Sequence, residues 1–355
     1  MGKKIITVLG EVNPSKMGKT SAHDHILIDL SNQFSIPEEV SRSAIVNDSL
    51  TLRNAGLIRR NPWAIRDNLI INDINLAIKE VEEFKRQGGG TIIDVTNIGL
   101  GRDPRALYYI AKATNVNIVT GAGYYYSATH PVDMDQKPVE AIFEEIVKDV
   151  TEGIGDTSIR CGVIGEIGIS DIMQLNEEKV LKATSLAQKK LGVPVEVHIF
   201  PWVADGYKEL FGNKVLDILE DNGADIRKIC INHVDVARKI NLKYIESLLK
   251  RGAYVSFDNF GHEFPIPRDS RMFVPGPFAT DWERCEAIIE LCSKGYGKKI
   301  LVANDICHRH MLCEYGGNGY AHIITTVPDM MRDLGLAKND IENFLIDNPA
   351  EFFAF

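Results

Sequence analysis

The stretch GGGTIIDVTNIGLGRDPRALYYIAKATNVNIVTGAGYY, residues 88–125, decides the fold. Its ends, GGGTIIDVTN (88–97) and NVNIVTGAGYY (115–125), are short β-branched and apolar runs bounded by glycine and asparagine, the pattern of buried strands. Between them, DPRALYYIAKAT carries apolar residues at three-and-four spacing, as a helix packed along one face does. Asp103 supplies an N-cap and Pro104 suits the first helical turn, so GLGRDP reads as a loop entering a helix. It lacks the third glycine of a dinucleotide-binding turn, which removes the main sign of an open doubly wound sheet. Strand, helix and strand in this order predict a parallel β–α–β unit.

The unit recurs along the chain. Further strand-like runs are IRCGVIGEIG (159–168), GVPVEVHIF (192–200), IRKICINHVD (226–235), GAYVSFDNF (252–260) and KKILVAND (298–305). SAHDHILIDL (21–30) brings the number of strands to eight, and helical segments such as NLAIKEVEEFKRQ and WERCEAIIELCSKG separate them. Repeated β-then-α alternation predicts an α/β fold, a (β/α)8 TIM barrel filling residues 1–355 as a single domain, with a short N-terminal strand segment at 1–19. Two insertions stand out: a long first loop at about 31–72, and GHEFPIPRDSRMFVPGPFAT (261–280) after the seventh strand. In a barrel both project from the C-terminal face, where active sites sit.

Composition narrows the partners. With 45% hydrophobic and 25% charged residues among 355, the chain buries a large core. A net charge of -9 with scattered lysines and arginines argues against nucleic acid and for a small-molecule substrate. The N-terminal apolar run is shorter than the ~7–15 residues of a signal-peptide core. No stretch reaches the ~18 apolar residues of a membrane span, so no membrane partner and a cytoplasmic location are expected. Six cysteines without a C-x-x-C pair are expected as free, buried thiols, and none is marked as a nucleophile.

The chemistry concentrates at strand ends. His23, His25, Glu166, His198, His233 and Asp305 all fall at the C-terminal ends of strands 1, 4, 5, 6 and 8. Glu166 to His198 and His198 to His233 each span about one ~31-residue repeat, and His233 to Asp305 about two. A lone histidine at such a place is ordinarily structural, whereas six metal-capable residues in barrel order read as one site. Side chains alternate along a strand, so His23 and His25 point the same way, with Asp24 opposed. Imidazoles and carboxylates without thiolate suit two divalent ions, zinc first, with manganese, cobalt or iron as alternatives. The set divides into His23, His25 and Asp305 around one ion and His198 and His233 around the other, with Glu166 able to bridge.

These residues carry a resemblance. HDH (23–25), RRNPW (59–63), GRDP (101–104), GAGYYYSATHP (121–131), DTSIRCGVIGEIG (156–168), INHVD (231–235), VANDICHRH (302–310) and YGGNGYAHIITTVPDMM (315–331) together resemble the phosphotriesterase-related family of the amidohydrolase superfamily. The resemblance implies a binuclear metal centre at the barrel mouth with a bridging hydroxide as nucleophile, and a homodimer. Many relatives bridge with a carboxylated lysine; here Glu166 stands in the GEIG run, and Asp156 stands where the run otherwise begins with glycine. Asp305 is the expected catalytic residue, taking the proton of the nucleophile and delivering it to the leaving group.

Loop residues are candidates for substrate contact: Tyr124 and Tyr126 after strand 3, Arg60 in the first loop, Arg268 and Arg271 after strand 7, and Arg309 beyond Asp305. Arginines at a closed mouth favour an anionic group on the substrate. The expected reaction is hydrolysis of a lactone or other carboxylic ester. The alternative is an amidase for small N-acyl compounds, with weak phosphotriesterase activity as a side reaction. A ligand-binding or sensor barrel is the non-enzymatic alternative, and it predicts a missing ligand where none is missing. His130 and His262 fall outside the strand ends and are read as non-ligands. Asp94 either orients a metal-binding histidine or makes buried structural hydrogen bonds. Gly316, Gly317 and Gly319 are expected to supply positive φ in a tight turn.

Overall fold

A computed structural model describes residues 2–34, 36, 43–200, 211–237, 239–266 and 276–355. Eight strands follow one another around a single sheet: β1 (Lys19–Asp24), β2 (Gly89–Asp94), β3 (Asn117–Ala122), β4 (Val163–Gly168), β5 (Val195–His198), β6 (Ile229–Ile231), β7 (Tyr254–Phe257) and β8 (Ile300–Val302). Every neighbouring pair is parallel. The ring closes just past β8, where Asp305 N donates to His23 O at 3.1 Å. Asn304 Nδ2 adds a bond to Ser21 Oγ at 3.4 Å. The expected TIM barrel is the fold.

Helices fill the outside: α1 (Ile74–Arg86), α2 (Pro104–Thr114), α3 (Val139–Thr151), α4 (Leu175–Leu191), α5 (Gly212–Asp221), α6 (Leu242–Lys250), α7 (Asp281–Ser293) and α8 (Thr326–Asp333). Asp103 caps α2 as its sequence predicts, accepting from Ala106 N at 3.0 Å with Pro104 in the first turn. Asp73 does the same for α1, accepting from Asn75 and Leu76 N. Strand alternation divides the core in two. Ile92, Ile118, Ile164, Ile229 and Ile300 pack outward against helix residues such as Val81, Ile110, Ile146, Leu181 and Leu216. Ala22, Ile93, Val119, Val163, Cys230, Tyr254 and Leu301 belong to a second cluster inside the barrel, closed by Ile5, Met17, Phe352 and Phe353.

Both insertions carry structure of their own. In the first loop, Ile70–Ile71 pairs antiparallel with Ile28–Asp29, and short helical turns lie at Ala55–Ile58 and Arg66–Leu69. In the second, Pro265–Ile266 pairs with Gly276–Pro277. Among the described residues no helix is long and apolar enough to cross a membrane. The six cysteines are free; four are buried, Cys292 is half-buried and Cys313 is exposed, against the expectation that all are buried.

Candidate metal centre and substrate cavity

The strand ends bring the six expected residues together in the barrel mouth. His23 lies inside β1 and His25 just past it; Glu166 lies inside β4, and His198 ends β5. His233 and Asp305 follow β6 and β8, each in the left-handed region, with φ of 57° and 48°. Glu166 stands at the middle. Its Oε2 is 3.7 Å from His23 Nε2, 3.2 Å from His198 Nδ1 and 3.4 Å from His233 Nε2, while Oε1 is 3.3 Å from His25 Nε2. Asp305 Oδ1 lies 3.8 Å from His23 Nε2 and 3.4 Å from His25 Nε2.

The outer hydrogen bonds fix which imidazole nitrogen faces inward. His23 Nδ1 is 3.2 Å from Glu196 Oε2, His25 Nδ1 is 2.8 Å from Thr96 Oγ1, and His233 Nδ1 is 2.8 Å from Asp258 Oδ1. Thr96 spends its own hydroxyl proton on Leu27 O, so it accepts from His25. With Nδ1–H donating outward, the Nε2 lone pairs of His23, His25 and His233 face carboxylate lone pairs. A cation resolves such an arrangement. Two ligands at ~2.1 Å from a tetrahedral ion sit about 3.4 Å apart, which is the spacing found here. His23 Nε2 and Glu166 Oε2 are also buried without a hydrogen-bond partner. Two donor groups, His23 with His25 and Asp305, and Glu166 with His198 and His233, are each compact enough for one ion.

The electrostatics agree. Burial alone would raise Glu166, but the imidazoles around it, His198 first and then His233, His25 and His23, hold it well below the usual carboxylate range. Asp305 is lowered too, against burial, chiefly by His25. Burial pulls His25 and His23 down, yet Asp305 and Glu166 lift His25 to about 10, and Glu196 and Glu166 lift His23 to about 9. Protons and divalent ions compete for the same lone pairs, so the field that raises these histidines is the field a cation meets.

Behind the centre, Asp94 accepts from Ile26 N at 2.8 Å and Thr96 N at 3.1 Å, which makes it a backbone holder of the turn after His25. Asp24, on the opposed face, accepts from Ile306 N at 2.8 Å and from Ser21 Oγ. A buried chain runs from His233 through Asp258 and Asn259 to Asp235. Arg284 lies 3.0 Å from Asp235 and 2.8 Å from Asp281. Glu196, Asp258 and Arg284 escape sequence reading, although a carboxylate inside the apolar run VPVEVHI is a visible signal for Glu196.

A cavity opens over the centre, lined by His25, Glu166, His198, His233 and Asp305 at its inner end and by aromatic side chains farther out. Tyr126 lines it, its hydroxyl accepting from Asn32 Nδ2 at 2.7 Å. Tyr125 lines it as well, with its hydroxyl 3.3 Å from His198 Nδ1. Tyr124 does not: it turns to Glu145 and to Lys137, whose Nζ lies 3.0 Å away. β3 ends at Ala122, before the tyrosines, so strand alternation does not govern which of them face the cavity.

The arginines are also placed differently from expectation. Arg60 is exposed and outside the cavity wall. Arg309 bonds Asp67 at 2.7 Å and Ile70 O through Nε and Nη2, so its guanidinium fastens the first loop instead of facing a substrate. Arg268 and Arg271 lie outside the described residues. His130 sits away from the centre, with Nε2 2.8 Å from Tyr125 O. His262 reaches the cavity and lies 2.9 Å from Asp305 O, closer to the centre than its sequence position suggests. Gly316 and Gly319 have positive φ, whereas Gly317 does not; a Cβ there would lie 2.1 Å from Met311 O.

Comparison with known proteins gives one consistent picture. Residues 3–353 match the model of the phosphotriesterase family. An N-acetyltaurine hydrolase from Bos taurus is 34% identical over 354 residues, covering 99% of this chain and 98% of that protein. A resiniferatoxin-binding protein from Rhodobacter sphaeroides superposes with a TM-score of 0.92 at 33% identity, covering 99% of this chain and 94% of that one. The phosphotriesterase homology protein from Escherichia coli, complexed with phosphate in its active site, superposes at 0.76 with 25% identity, covering 95% and 99%.

Proposed function

This chain belongs to the phosphotriesterase family of hydrolases, and from that premise we propose that it cleaves the amide bond of a small N-acyl compound whose amine half carries an anionic group. The supporting observation is whole-length similarity to hydrolases named for N-acetyltaurine, on a chain whose strand ends gather a His, Glu and Asp cluster able to hold metal. That similarity supports the amide reading more than the lactone reading that the sequence puts first.

In the proposed site, His23, His25 and Asp305 would hold one divalent ion, and His198 and His233 would hold a second with Glu166; zinc is the proposed ion. When bound, such ions supply Lewis acidity and make water nucleophilic at neutral pH. The chain's own residues do the rest. Asp305, the most exposed carboxylate of the cluster with 12% of its side chain accessible, takes the proton of the attacking water. It then delivers that proton to the amine nitrogen as the C–N bond breaks, giving the amine and a carboxylic acid, and the acid's own proton passes to the released amine, so a carboxylate and an ammonium leave. Glu196, Thr96 and Asp258 keep three imidazoles in register, and the aromatic wall excludes bulk water from the reacting carbonyl.

The test is turnover by zinc-reconstituted protein of N-acetyltaurine and N-acetyl amino acids, set beside γ- and δ-lactones. Amine release with kcat/KM on the order of 10⁴ M⁻¹s⁻¹ or more, above the lactone values, is expected. Lactone opening without amine release would return the site to the ester reading.

A further inference from the structure

An anionic substrate ordinarily meets a cation in its binding cavity. Among the described residues lining the cavity over the centre there is no lysine or arginine. An oxyanion taken from water into an aromatic wall still needs donors, because an unpaired polar group costs more than its hydrogen bond contributes. Farther out than the centre, Trp63, Phe264 and Phe278 offer apolar faces. His308 interrupts them.

His308 is buried, at 4% exposure, and lines the cavity. Its Nε2 has no hydrogen-bond partner. Outside the metal cluster, no other described lining residue has a buried, unpartnered side-chain nitrogen or oxygen. The ring is held rigidly, edge-on to Trp63 with centroids 5.7 Å apart and to Phe264 at 6.3 Å. Nδ1 lies 3.3 Å from Cys307 Sγ. Nδ1 is thus the partnered nitrogen, and the tautomer in which the Cys307 thiol donates to it carries the imidazole proton on Nε2. Burial holds His308 well below its usual range, so the ring is neutral and adds no positive charge beside a cationic centre. Buried polar atoms are rarely left unsatisfied without a reason, and a ligand atom is such a reason.

We propose that His308 is a substrate-binding residue whose Nε2–H donates to an oxygen of the substrate's anionic group. The inference rests on the amide-hydrolase reading of the same cavity and names the residue that gives it specificity for an anionic tail. Sulfonate and carboxylate present the same acceptor chemistry, and the experiment separates them.

The test uses the zinc-loaded full chain with His308→Phe, which keeps an aromatic ring, and His308→Gln, which keeps a donor near the position of Nε2. For N-acetyltaurine, His308→Phe is expected to raise KM about tenfold or more with kcat nearly unchanged, and His308→Gln to recover most of the loss. For N-ethylacetamide, which lacks the anion, neither variant changes KM. Running N-acetyl-β-alanine beside N-acetyltaurine shows which anion the contact favours. Ethanesulfonate binding, read by calorimetry, tests the contact without turnover and is expected to weaken about tenfold in His308→Phe. Equal losses on charged and neutral substrates, or ethanesulfonate affinity identical in wild type and His308→Phe, would overturn the proposal. Wild type that hydrolyses no N-acyl compound, yet binds ethanesulfonate in a His308-dependent way, would sink the amide reading and leave this contact standing.

Discussion

His233 and Asp305 sit at positive φ, a conformation that costs a residue with a Cβ on the order of 1–3 kcal/mol and persists only where its surroundings enforce it. For His233 the enforcement is visible: Asp258 accepts from its backbone N at 3.1 Å and from its Nδ1 at 2.8 Å. One carboxylate thus fixes both the strained backbone and the nitrogen turned to Glu166. Asp258→Asn keeps the shape but removes the charge that favours Nδ1–H, and is expected to weaken metal binding about 10–100-fold. Chelator competition on purified variant and wild type reads this directly; an unchanged Kd would refute the positioning role. The six residues of the centre are legible in the sequence because strand ends repeat at a fixed interval. Asp258 is not, because VSFDNF supplies no ligand itself and its role depends on how close β7 brings it to the residue after β6.

At the scale of elements, the first loop and the segment after β8 are clamped together over the barrel. His310 N donates to Asn68 Oδ1 at 2.8 Å, His310 Nδ1 lies 3.0 Å from Asn68 Nδ2, and Arg309 fastens Asp67 and Ile70 beside them. Burial in this clamp pushes His310 down from 6.5 to about 3, with His262 and Arg59 adding to the shift. The unfolded chain therefore binds this proton first. Stability from His310 is fully present above pH 6.5 and is lost as pH falls towards about 3. In His310→Gln, the unfolding free energy should fall less steeply between these limits, by up to about 1.4 kcal/mol per pH unit. Urea titrations at stepped pH measure it, and parallel slopes for the two proteins would contradict the assignment. Strands, caps and insertions can be read from local patterning, as Asp103 and Pro104 show. Whether Arg309 faces a substrate or a neighbouring loop is decided by residues more than two hundred positions away, which no local pattern contains.

Across the whole molecule, stability and chemistry occupy opposite ends of one barrel. Phe352 and Phe353 plug the bottom against Tyr254, Ile93 and Leu301, and Lys4 and Phe355 exchange backbone hydrogen bonds at 3.0 Å in both directions. The metal-capable residues and the aromatic wall gather at the other end. At the mouth, His23, His25 and His233 are fixed by their own outer bonds, to Glu196, Thr96 and Asp258. Phe352→Ala removes a fully buried ring and is expected to cost roughly 3–5 kcal/mol of stability. Below its lowered melting temperature the variant should bind metal and turn over substrate within about twofold of wild type, the reverse of Asp258→Asn, which should lose metal with a smaller loss of stability. Melting curves and metal titrations on the two variants form a crossed pair. If Phe352→Ala stripped metal as readily as Asp258→Asn, the mouth would be held from below and not by the side chains around it.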